Sequence, residues 1–408
     1  MSKLTVPWQR LVLVPLAIVL AYFVGVYSLA GAVRNGNPDL ALQLVPNDAI
    51  ALGNKADRLI AENGDVEKVG AARVFARAAL QRDATSVAGA RTLGLGAALA
   101  GETARADRLM AYSRMLTRRD LGTTFYLVNR AVADNRVGGA LENFDIALRT
   151  SPASADTLFP ILAGALADDQ LAAPIMRLFA HNPPWLEAFA GNAPGYPPSV
   201  VNLSRVLGRL PAIATQHGLG VQSGIVLRLV KDGQYRDALA YYRAISAKAD
   251  GADTFVRNGL FARQPRLQPL EWNYSVDSTL GAEAVDPRTG GGLKVFASDS
   301  ARGTVATELL VLAAGRYRLL SHAANAGSST GLSLTWTVTC ADGTKAKLGS
   351  FASVGSPDSR IATGVFDVPA GGTCNAQWLA LEVAGSAGAQ DIEAMVHDVA
   401  LARVDGGP

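Results

Sequence analysis

The stretch Ala140-Leu141-Glu142-Asn143-Phe144-Asp145-Ile146-Ala147-Leu148-Arg149-Thr150-Ser151-Pro152 decides the fold of the first half of the chain. It carries a small residue, a large ring four positions later, a second small residue three beyond that, and a closing proline. The same spacing stands 34 residues earlier at Ala106, Met110 and Ser113, and 34 earlier again at Ala72, Ala76 and Ala79. This period, with small residues at two fixed positions, marks stacked helical hairpins. Two helices approach closely only where side chains are small, and the residue between them fills the gap to the next hairpin.

Working outward, 46–261 is helical in pattern almost throughout. Its breaks fall at Glu62-Asn63-Gly64-Asp65, Ala100-Gly101-Glu102 and Asp134-Asn135-Arg136. Taken as copies 53–86, 87–120 and 121–154, the repeats resemble the tetratricopeptide repeat family, with Leu59, Leu93 and Leu127 equivalent and only Gly94 keeping the preferred glycine. A fourth copy is expected at 219–252 and a degenerate one at 156–181. The Pro-, Gly- and aromatic-rich 182–198, packed down by Trp185 and Tyr196, interrupts the array. The resemblance implies an α-solenoid whose concave face, at Arg91, Leu95, Ala98, Phe125, Asn129 and Val132, holds a protein partner. The basic and asparagine positions of the carboxylate-gripping subfamily are not reproduced, so an acidic C-terminal tail is not the expected guest.

No charged residue occurs over 11–33, and 23 residues suffice for a helix to cross about 30 Å of hydrocarbon. Lys3 and Arg10 before it favour a cytoplasmic N-terminus with the chain after Arg34 outside, as in a single-pass bacterial inner-membrane protein. The small-x-small tripeptides Ser28-Leu29-Ala30 and Ala30-Gly31-Ala32 keep a cleaved signal peptide as the alternative. Either reading exports the bulk of the chain. Cys340 and Cys374, the two cysteines of the sequence, are then expected to form a disulfide.

Length and composition bound the rest. At 408 residues the chain needs two or three domains, expected at 1–34, 46–262 and 270–408. The formal net charge of +3 and the lack of basic residues interleaved with aromatics argue against nucleic acid. From Glu271 onward there are 14 acidic and 9 basic side chains, a net of −5.

Near Gln268 the texture changes to period 2. Strands are expected at 293–297, 304–312, 317–322, 332–339, 345–351, 361–368, 376–383 and 392–404, with turns at Asp342-Gly343, Ala370-Gly371-Gly372 and Ala314-Gly315. So many short strands predict a sandwich or jelly roll. The run Leu310-Val311-Leu312-Ala313-Ala314-Gly315-Arg316-Tyr317-Arg318-Leu319 resembles jelly-roll carbohydrate-binding modules. That resemblance implies a sugar platform of exposed rings. Trp336 alternates with apolar neighbours and reads as core, Trp378 is a further ring, and Trp272 and Tyr274 at the domain's start are the expected sugar contacts. The fold class is therefore multidomain α + β: a transmembrane helix, a helical-repeat array and an all-β sandwich.

Catalytic signatures are weak. Gly327-Ser328-Ser329-Thr330-Gly331 lacks the strand and helix that flank a nucleophile elbow. Gly218, Gly220 and Gly224 lie in a helical tract, and Gly290-Gly291-Gly292-Leu293-Lys294 lacks phosphate-loop spacing. His181, His217, His322 and His397 show no ligand spacing, and Asp391 and Glu393 read as a solvated face. The expectation is a non-enzymatic protein without metal or cofactor. It is read first as an envelope scaffold for protein partners in polysaccharide assembly or export, and alternatively as a polysaccharide-binding protein with the helices as spacer.

Overall fold

The computed structural model describes residues 8–61, 66–246, 254–325, 331–343, 345–387 and 392–404. The turn at 62–65, the serine-rich loop at 327–330 and Asp391 lie outside them. Among the described residues fifteen α-helices and two antiparallel sheets make an α + β chain, which divides into two compact units, Met1–Leu158 and Phe159–Pro408.

The first unit holds α1 (Trp8–Val33), α2 (Pro38–Leu44), α3 (Ala49–Ala61), α4 (Val66–Arg82), α5 (Val87–Leu99), α6 (Thr103–Leu116), α7 (Leu121–Ala133) and α8 (Val137–Thr150). Within α1, Leu13–Val33 is long and apolar enough to cross a membrane, at a mean hydropathy of 2.2, and a signal sequence meets the same description. From α3 to α8 successive helices pair as hairpins, and every residue of the repeated spacing is buried at their contacts. Ala72, Ala106 and Ala140, then Ala76, Met110 and Phe144, then Ala79, Ser113 and Ala147 are all at most 6% exposed.

The second unit begins within α9 (Ala155–Leu166). It continues with α10 (Asp169–Phe179), α11 (Leu186–Asn192), α12 (Pro197–Gly208), α13 (Pro211–Ala214), α14 (Leu219–Lys231) and α15 (Tyr235–Ile245). The helix–turn–helix expected at 219–252 is α14–α15. The tract 182–198 forms α11 and the start of α12 around a cluster of Phe159, Phe179, Trp185 and Phe189 rings. The division at 158/159 differs from a boundary at 262/270. The reason lies in residues that join α15 to the sandwich, among them a Tyr242 hydroxyl donating to the buried Glu271 carboxylate at 2.9 Å.

Among the described residues eleven strands follow: β1 (Asn273–Tyr274), β2 (Leu280–Ala284), β3 (Leu293–Ala297), β4 (Arg302–Leu310), β5 (Gly315–Asn325), β6 (Leu332–Cys340), β7 (Lys347–Ala352), β8 (Val354–Ser356), β9 (Ser359–Val368), β10 (Gln377–Gly385) and β11 (Ile392–Arg403). One sheet runs β1-β4-β10-β6-β7 and the other β2-β3-β11-β5-β9-β8. Alternating side chains, such as Leu334, Trp336 and Val338 of β6 and Leu379, Leu381 and Val383 of β10, fill the core between them. The Cys340–Cys374 disulfide forms across a separation of 34 residues. In the chain-entropy account such a loop closure contributes about 3–4 kcal/mol.

Candidate functional site

Of the two rings expected to meet sugar, Trp272 is not open to one and Tyr274 is half-buried. Trp272 is fully buried, its ring against Phe261 and Trp336 at 5.3 and 5.8 Å, and its indole N–H donates to the Asn258 carbonyl at 3.3 Å. The Tyr274 hydroxyl is also buried, and burial raises its pKa. Their place beside a domain boundary suggests exposure, but the segment before the sandwich folds back over Trp272. Trp336 is core, as its alternation implied, and Trp378 is half-buried.

The concave-face residues divide. Arg91, Leu95 and Ala98 of α5 line a groove of about 790 Å³, together with Ile60, Leu99 and Asp120. Phe125, Asn129 and Val132 lie on α7, one hairpin further on, and do not line it. The Arg91 guanidinium does not face a guest unencumbered, because it bonds Asp57 at 2.6 Å and also the Asp120 carboxylate that caps α7. It clamps three helices.

A different cleft combines apolar and polar groups on the sandwich. It holds about 580 Å³ on the outer face of the second sheet. Its floor is Leu320 and His322 of β5 beside Asp398 and Ala400 of β11. Outward residues recur every second position on a strand, so Leu320 and His322 share one face. A bulge between Val396 and Asp398 shifts the register of β11, and this sets Asp398 opposite His322. The Asp398 carboxylate accepts the His322 backbone N–H at 3.0 Å and lies 2.9 Å from the ring's Nδ1. Sequence reasoning set His322 aside as isolated. Its partner lies 76 residues away, and no local signal marks the bulge.

The wall of the cleft is the segment 254–263, which supplies Phe255, Asn258 and Leu260, the last 67% exposed. The Phe255 ring meets Tyr317 edge-on at 5.4 Å. Val399 donates its N–H to the Gly259 carbonyl at 2.9 Å, so the segment pairs with β11 beyond Val396, where its ladder with β3 ends. A Cβ on Gly259 would lie 2.2 Å from the Val399 oxygen, and only glycine permits that approach.

Buried charge fixes the wall in place. Arg257, 1% exposed, pairs with the fully buried Glu308 at 2.8 Å and donates to the carbonyls of Leu270 and Leu309. Burial pushes the Glu308 carboxyl up to about 8 despite Arg257, and its Oε2 has no hydrogen-bond partner among the described residues. Glu271 behaves oppositely. Burial works to raise it, yet the Arg263 guanidinium at 2.7 Å and the Arg266 N–H hold it below the usual carboxylate range.

The first sheet offers a shallower polar depression of about 260 Å³ on its outer face, lined by Arg302, Thr304, Ser333, Thr335 and Glu382. Among the described residues no group of three or more His, Cys, Asp or Glu side chains is placed to hold a metal ion.

No family model matches the chain. No curated protein matches it either. The C-terminal sandwich is similar to solved carbohydrate-binding modules. One is a family 61 module in complex with β-1,4-galactotriose, at 15% identity, 37% of this chain, 99% of that chain and a TM-score of 0.27. Another is a family 4 module, at 21% identity, 33% and 94% coverage and a TM-score of 0.24. A third is the xylan-binding domain of a Paenibacillus barcinonensis protein, at 12% identity, 36% and 94% coverage and a TM-score of 0.26. At such identities and scores these likenesses assign neither a ligand nor binding residues to this chain.

Proposed function

We propose that this chain is a non-enzymatic, membrane-tethered carbohydrate-binding protein whose β-sandwich holds a glycan in the Leu320–His322–Asp398 cleft. The cleft itself carries the reading. Sugars present apolar C–H faces and a rim of hydroxyls, so their sites join apolar surface to a few oriented polar groups. Phe255, Leu260 and Leu320 supply the first. The Asp398 carboxylate accepts hydrogen bonds from hydroxyls, while the Asn258 amide and the His322 ring exchange hydrogen bonds with them. A volume near 580 Å³ falls within the range of about 300–1,000 Å³ for small-molecule sites. The disulfide and α1 support placing the sandwich outside the cytoplasm of a bacterial inner membrane, with α1 as anchor or signal sequence.

The order of the two sequence readings is thereby reversed, with sugar binding first. The scaffold reading rests on the groove of the helical unit, where Leu99 is 63% exposed beside Leu95 and Ala98. Such a groove suits an apolar peptide held on tetratricopeptide-like hairpins, and a role in polysaccharide assembly or export would join the two activities.

Glycan-array binding by the detergent-solubilised full chain tests the primary reading. Saturable binding weakened at least tenfold by Asp398→Ala, with an unchanged melting profile, is expected. Equal binding by the variant would place the glycan elsewhere, and no binding to any glycan would leave the scaffold reading alone.

A further inference from the structure

The sandwich is acidic in total yet gathers arginines along one line. We infer that the glycan of the proposed cleft is an acidic polysaccharide, carrying carboxylate groups, laid along the outward face of β5. This rests on the carbohydrate reading and adds the chemical class of the ligand.

The line begins at a second cavity of about 420 Å³ between α15 and the loops that end the sandwich. Arg236 and Arg243 of α15 line it beside Ala313, Ala314, Gly371 and Asn375, and among the described residues no aspartate or glutamate does. Arg403 reaches the same loop, its Nη2 lying 3.5 Å from the Ala314 carbonyl. From there β5 turns Arg316 and Arg318 outward, both exposed, and then Leu320 and His322 of the cleft. Gly315 to Leu320 spans roughly 17 Å at about 3.3 Å per residue, so one extended polymer can touch both cavities.

Charge separation supports a specific guest. The stretch from Glu271 to the end carries 14 acidic and 9 basic side chains. Even so, Asp367, 73% exposed and 3.9 Å from Arg316, is the one acid among the outward partners of Arg316 and Arg318 on the paired strands. Arg318 faces Val365 and Ala402 instead. Guanidinium forks match carboxylates two bonds at a time, which a row of lysines would not. A nucleic acid is the poorer fit, because among the described residues the outward face of β5 carries no phenylalanine, tyrosine or tryptophan ring to stack a base, Tyr317 between the two arginines being buried.

The test compares polygalacturonate, neutral xylan and dextran, dextran sulfate, and single-stranded DNA on the full chain, at low and at moderate salt. We expect polygalacturonate to bind at least tenfold more tightly than the neutral polymers at low salt and to lose that margin as salt rises. Arg236→Glu with Arg318→Glu should remove the margin without lowering the melting temperature, and the corresponding lysine pair should restore part of it. Neutral polymers binding as well as polygalacturonate would overturn this inference and leave the carbohydrate reading standing. Equal binding of DNA or dextran sulfate would reduce the arginines to an unselective patch and overturn it too. Silence with every polysaccharide would overturn both.

Discussion

Arg257→Met removes the cation that accompanies the buried Glu308 while keeping most of the side-chain volume. Glu308 would retain only the Arg257 backbone N–H, and the Leu270 and Leu309 carbonyls would each lose a donor. Removing one member of a buried pair costs about 3–5 kcal/mol, because the polar groups it served stay out of water without their partner. For a unit of this size each kcal/mol moves the midpoint by about 2–4 °C, so the sandwich transition should fall by about 6–20 °C. Differential scanning calorimetry of the full chain reads this directly. The double variant Arg257→Met/Glu308→Gln should recover part of the loss, since it leaves no buried carboxyl to be kept protonated without its partner. A drop under about 2 °C in the single variant, or a double variant less stable than the single one, would refute the view that this pair pins the cleft wall to the sandwich.

Glu308 titrates upward, so its sign is the reverse of an ordinary salt-bridged acid. The folded chain keeps a proton that the unfolded chain loses near pH 4.5, and stability falls as pH rises from there to about 8. The slope from this one group is at most about 1.4 kcal/mol per pH unit. Glu308→Gln should therefore gain on the parent chain across that window in paired melts, and a difference independent of pH would contradict the assignment. Reducing the Cys340–Cys374 bridge, or replacing both cysteines with alanine, should destabilise the sandwich by about 3–4 kcal/mol in denaturant titrations and leave the helical unit's transition in place. Loss of both transitions together would contradict the two-unit division.

Much of the fold was legible because it is written in local periods. Each residue of the 34-residue spacing from Ala72 to Ala147 lies in a helix contact, and the eight expected strands correspond to β3–β7 and β9–β11 within a few residues. What escaped notice lacks a local signal. The β2 strand reads Leu280-Gly281-Ala282-Glu283-Ala284, poor in strand-forming residues. Its Gly281 is set by the Phe296 ring of the neighbouring strand, which lies 2.8 Å from where a Cβ would stand. The site was harder still. Trp272 was expected outside because it follows a linker, yet that linker, through Arg257 and Gly259, becomes the wall that covers it. His322 gained a partner only through a bulge and a pairing across the sheet.

Hydrogen exchange of the full chain with and without a bound oligosaccharide tests the central claim most directly, because it reports where the sugar sits. Slowed exchange at 254–263 and 398–401 is the expected result, since both segments line the cleft. Slowing confined to the Ser333–Thr335 face of the other sheet, or to the helices of the first unit, would contradict it.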